Sequence, residues 1–150
     1  MISREILILP RLFLGVIFSI ASYSKISSGD FPAHLSGFLS QVLTNATFAY
    51  QAFAQAVVLP HVATVATLVI IGETFVGIAM LAGITTRLAS VVAVLLLLNY
   101  MFAKGMTLWT PASNDAADII LAIVVGVGAA GRVWGVDAVL KKRYPRVPLW

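Results

Sequence analysis

Cysteine is absent from this 150-residue chain, and charge is scarce. Without thiols the chain holds no disulfide, no thiol nucleophile, no iron–sulfur ligand and no Cys-based zinc site. Charged residues make up 11% of the sequence and hydrophobic residues 60%, with a mean hydropathy of +0.98. A soluble domain is closer to about a quarter charged and half apolar. The excess apolar surface calls for lipid as solvent. Residues 1–150 therefore read as a single integral membrane domain, with the lipid bilayer as its first partner. The net charge is +4, but the cations gather at the ends of apolar runs rather than along a stripe with exposed aromatics. That pattern excludes nucleic acid as a partner. Phosphate loops, nucleophile elbows and paired-His metal motifs are also missing, so no metal site is expected. The only two histidines, His34 and His61, both fall near one membrane edge and read as surface or cap residues.

Four apolar segments remain, at about 6–24, 61–82, 86–105 and 114–131, close to the ~20 residues a spanning helix needs. Gly83 to Arg87 reads as a tight turn, with Gly83 closing one helix and Thr85 or Thr86 capping the next. Lys104 to Asn114, with Gly105 and Pro111, reads as a short loop, and Pro60 suits the first turn of the second span. Between Lys25 and Leu59, Pro32 opens a segment in which Leu35, Phe38, Leu39, Val42 and Leu43 recur at helical spacing. This predicts an amphipathic helix at the interface, acting as a cap over the bundle. The expected fold is all-α: a four-transmembrane-helix bundle with that interfacial helix between the first and second spans.

Orientation follows from the basic residues. Arg4, Arg11, Arg87, Arg132, Lys141, Lys142, Arg143 and Arg146 favour one side; Lys25 and Lys104 mark the other. The first group assigns both termini to the cytoplasm, in a bacterial or archaeal cytoplasmic membrane. Ser19 to Ala21 resembles a signal-peptide cleavage site, but Arg11 interrupts the uncharged core such a peptide requires.

Two ionisable residues lie inside apolar runs, where charge is costly: Arg11 in the first and Glu73 in the second. Arg11, Gly15, Phe18, Ser22 and Lys25 share one helical face, which is no lipid face and should turn into the bundle. Glu73 falls near mid-span. A lone carboxylate there would become neutral, and a cationic partner restores its charge. Arg11 is the nearest in depth. Lys25 is the alternative if the spans tilt or break. An Arg11–Glu73 pair would either fix helix register or form a polar site that binds a ligand or relays protons. In the fourth span Ser113 or Asn114 can cap the helix, and Asp115 suits its positive end. Asp118 lies a turn further in, and with Lys25 and Lys104 can form an outer polar cluster, with Asn99 and Tyr100 about a turn deeper. Ala122, Gly126 and Ala130 form a small-residue ridge for close helix contact. The candidate ligand-binding residues are thus Arg11, Lys25, Glu73, Asn99 and Asp118.

The run from Leu9 to Lys25, with Arg11, Gly15 and Lys25 in place, resembles the first helix of DoxX/DoxD-type membrane proteins. Glu73 to Gly77 with Leu81 to Arg87 is similar to their second helix and turn. Asn114 to Asp118, Gly128 to Gly131 and Val136–Asp137 are similar to their last helix and exit. Where the family commonly carries His-Gly before the Lys, this chain has Ala21 to Ser24, so nothing is carried over from that His. The resemblance implies a four-helix membrane protein associated with oxidoreductases, including the small subunit of thiosulfate:quinone oxidoreductase. The expected role is a subunit of a membrane redox system with a buried polar site for a quinone or small solute. The alternatives are a non-catalytic accessory subunit of a larger membrane complex or homo-oligomer, and a small transporter component.

Overall fold

A computed structural model describes residues 4–110, 113–147 and Leu149. Pro111 and Ala112, in the loop expected before the fourth span, lie outside the described residues. Among the described residues the regular structure is all helical. A 3-10 turn, Arg4–Leu7, leads into α1, Ile8–Ser27. Helices α2, Phe31–Val42, and α3, Phe48–Phe53, follow, and a π-helical turn, Ala54–Val58, leads towards α4, Val62–Ala82. Then come α5, Thr86–Ala103, α6, Asn114–Val127, and α7, Val136–Arg143.

Among the described residues three stretches are long and apolar enough to cross a membrane: Glu5–Ser27, Val62–Ala82 and Thr86–Ala103. The fourth expected span is a shorter helix. Its 14 residues extend ~21 Å at ~1.5 Å each, against ~30 Å of hydrocarbon. The apolar run continues, but Ala129 takes a positive φ of 49° and the chain re-forms as a 3-10 turn at Ala130–Arg132.

Small residues set the helix spacing. A Cβ on Gly15 would lie 2.9 Å from the Leu81 side chain, and one on Gly77 would lie 2.5 Å from Ser19 Oγ. Helices α1 and α4 therefore run antiparallel in close contact. Gly126 brings α6 equally near to Ser90 on α5. Leu14, Phe18, Val76, Met80, Leu97 and Ile119 fill the core between these four helices. A second apolar cluster, including Leu39, Leu43, Ala54, Val58 and Ala103, packs the α2–α3 segment over one end of the bundle. Asp30 starts α2 by accepting from Ala33 N, with Pro32 in the first turn. Pro60 stands in the turn ahead of α4 rather than in its first turn.

The bundle thus has a capped end, near Lys25, and a basic end, near Arg11. Gly83, with φ 64°, closes α4 at the basic end in the left-handed conformation that glycine tolerates.

Candidate functional site

The face of α1 that the sequence marks as polar is turned inward: Arg11, Gly15, Phe18 and Ser22 are buried and Lys25 is partly so. The two charges expected to meet on it do not. The contacts of Gly15 with Leu81 and of Ser19 with Gly77 fix the register of α1 against α4. One step forward on α1 matches one step back on α4. Continued, this register sets Glu73 level with Tyr23 and Arg11 level with Thr85. Arg11 and Lys25 are themselves ~21 Å apart along the helix. Glu73 is therefore served by Lys25, which the sequence offered only as the alternative.

Lys25 Nζ lies 2.8 Å from each carboxylate oxygen of Glu73, with its hydrogen bond directed at Oε1. Tyr100 Oη donates to the same Oε1 at 2.8 Å. Glu73 is 1% exposed, whereas the Lys25 side chain keeps 21% of its surface. Oε2 has the ion-pair contact but no directed hydrogen bond from any described residue. The ammonium also faces two rings, 5.4 Å from the centroid of Phe31 and 5.9 Å from that of Tyr100. Such cation–π contacts hold a cation without consuming its hydrogen bonds. Beside this triad, Tyr50 Oη donates to Asn99 Oδ1 at 2.8 Å, tying α3 to α5. Burial pushes the Tyr50 phenol above its usual range, so it stays protonated as a donor.

Arg11 belongs to a different cluster at the basic end. Its Nη1 donates to Ala130 O at 3.0 Å and Val133 O at 2.9 Å, and its Nη2 to Trp134 O at 3.4 Å. Asp137, 1% exposed, accepts from Thr85 N at 2.7 Å and Thr86 N at 2.9 Å. Its own amide donates to Gly83 O at 2.8 Å. The start of α5 is thus capped by a carboxylate from the far end of the chain. Thr85, expected as a cap itself, has a φ of 46° and makes no side-chain cap bond. Arg11 and Asp137 clamp the exit of α6 and the α4–α5 turn together.

The remaining candidates are separate. Lys104 pairs with Asp115, not with Asp118. Asp118 is partly buried one turn further along α6, without a hydrogen bond or ion pair to any described residue. Ser113 precedes α6 without a side-chain cap bond. His34 and His61 are exposed. The structure therefore brings Lys25 and Glu73 together, with Asn99 next to Tyr100 in α5, holds Arg11 in a separate cluster at the basic end, and gives Asp118 no hydrogen bond or ion pair with Lys25 or Glu73.

Sequence reasoning placed Tyr100 near this region but did not count it among the site residues. The available signal was a phenol within an apolar span, which needs a hydrogen-bond partner when buried. Asp137 stood out only as part of the Val136–Asp137 pair in the family resemblance and Tyr50 not at all, since their partners lie far away in the chain.

Chemically, the triad joins a buried carboxylate to a partly exposed ammonium through direct contact, with a phenol as second donor. It can hold a polar group against Oε2 or pass a proton between the capped end and the interior. A family-wide sequence profile described as "TQO small subunit DoxD" matches residues 7–149. Neither a curated protein nor a solved structure shows a significant match to the chain.

Proposed function

The chain belongs to the DoxD family, and from that premise we propose that it is a membrane subunit of a redox complex whose Lys25–Glu73–Tyr100 triad serves the polar head of a quinone-class substrate. In this reading α6 and the turn after it complete a fourth crossing, with both termini on the cytoplasmic side. One observation carries the proposal. A carboxylate in the middle of a 21-residue apolar helix stays paired with an ammonium that reaches the surface at the capped end. Intramembrane ionisable groups in such settings commonly mark proton or ligand paths.

Quinone reduction takes two electrons and two protons. The electrons come from the partner subunit, and this chain supplies the proton route. For each proton the Lys25 ammonium gives one to the bound head and is reprotonated from the capped end, while Glu73 and Tyr100 present hydrogen-bonding oxygens to that head. Asn99 and Tyr50 hold α5 and the cap in position beside it.

Mass spectrometry of lipid extracts from the purified protein tests this. Wild-type protein should carry an enriched quinone, and Glu73→Gln or Lys25→Met should lose it. A second reading, a non-catalytic accessory subunit, draws on the closure of the triad: Lys25 and Tyr100 both already donate to Glu73 Oε1. Absence of quinone from all three proteins, with a partner subunit co-purifying equally well with each, would favour that reading.

A further inference from the structure

A groove of about 550 Å³ runs between α5 and α6 on the outside of the bundle, away from the triad. Its walls are apolar, with Val91 and Leu95 on α5 and Ile123 and Val127 on α6. Gly126 deepens the floor, because it places no side chain there. Among the described residues its polar side chains are at the basic end, where Arg87 and Ser90 stand one turn apart. Ser90 is 4% exposed, and its hydroxyl has no hydrogen-bond partner among the described residues.

We propose that this groove is a binding site for one anionic phospholipid, with an acyl chain in the cleft and the phosphate at Arg87. Length argues for the occupant. From Arg87 to Leu95 the groove follows α5 for ~12 Å, close to the ~15 Å depth of one leaflet and well short of the ~30 Å contact a spanning partner helix would make. Polarity argues the same way. A single cationic end followed by two apolar turns matches an amphiphile standing in one leaflet, head outward. A long arginine at a span end places its guanidinium at headgroup level. The orphan Ser90 hydroxyl, just below, offers a donor at the depth of the glycerol esters. Arg132 and the basic residues of α7 belong to the same end of the molecule and add to its attraction for anionic headgroups.

Native mass spectrometry of the full chain, titrated with phosphatidylglycerol or phosphatidylcholine of matched acyl chains, reads the site directly. Phosphatidylglycerol should bind roughly fivefold more tightly, the factor expected for one basic contact at a membrane surface. Arg87→Gln should abolish that preference, and Arg87→Lys should keep most of it. Val91→Trp, at a position 57% exposed on the groove wall, should weaken both lipids while leaving the melting temperature unchanged. Equal affinity for the two lipids, a preference that survives Arg87→Gln, or binding undiminished in Val91→Trp would overturn the proposal. So would a photoreactive residue at position 123 that captures a protein chain instead of lipid in native membranes.

Discussion

Lys25 and Glu73 are 48 positions apart in the chain, yet the ammonium sits 2.8 Å from both carboxylate oxygens. Removing one member strands the other in a low-dielectric interior. Glu73→Gln or Lys25→Met alone should cost about 2–3 kcal/mol, below the ~3–5 kcal/mol of a fully buried pair because Lys25 keeps some solvent access. The double change should recover part of this. A double-mutant cycle on unfolding in detergent measures it, and additive single effects would rule out the coupling.

Arg11 and Glu73 should behave in the opposite way. They sit in different clusters and share no partner, so Arg11→Leu and Glu73→Gln should add to within about 0.5 kcal/mol. Hydrogen exchange should also speed up in the segment from Ala130 to Trp134, whose carbonyls Arg11 holds. Coupling above that limit, or unchanged exchange, would contradict the assignment of Arg11 to the basic-end clamp.

Asp137→Ala removes the cap of α5. The amides of Thr85 and Thr86 lose a buried carboxylate acceptor, and stability should fall by about 2 kcal/mol, near the upper end for a helix cap. Amide protection should drop first at Thr85 and Thr86. Protection lost evenly along α5 would point to a general packing defect instead.

Tyr100→Phe keeps the ring beside Lys25 and deletes only the hydroxyl that donates to Glu73. The expected loss is about 1–2 kcal/mol, as for a hydrogen bond to a charged group. On the proposed function, quinone retention should fall in this variant although the Lys25–Glu73 pair remains. Full retention would remove Tyr100 from the site.

Gly77→Val should separate α1 from α4. Even a Cβ there lies 2.5 Å from Ser19 Oγ and 3.0 Å from Ser19 N, and the backbone atom cannot swing away. Overpacking of this kind costs about 1–3 kcal/mol. A companion change, Ser19→Gly, should restore only the part due to the hydroxyl, which thermal melts of the two variants and their combination would show.

Much of the fold could be read from hydropathy, because lipid-facing helices must be apolar along their whole length. The buried stripe on α1 was readable for the same reason: Arg11, Ser22 and Lys25 cannot face lipid. The turn at Gly83 was readable because its φ of 64° suits glycine. The partner of Glu73 was not. That choice depends on the register set by Gly15 against Leu81 and Ser19 against Gly77, a tertiary fact that depth along single helices does not encode. The end of α6 was misjudged because Gly128 and Ala129 continue an apolar composition while the backbone turns. The cap of α5 was read as Thr85 or Thr86, local residues of the right type, but the acceptor is Asp137, 51 positions beyond Thr86.

That separation has a temporal side. A ribosome adding about 5–20 residues per second needs about 3–10 s to go from Thr86 to Asp137. Through that interval the first turn of α5 waits at the membrane surface with two amides still lacking their carboxylate. The late arrival of Asp137 closes the hairpin made earlier, so assembly is completed from the C-terminal side. A nascent chain stalled before Asp137 should hold its helices in lipid yet stay open to proteolysis at the α4–α5 turn, and become resistant only once Asp137 has emerged and reached Thr85 and Thr86.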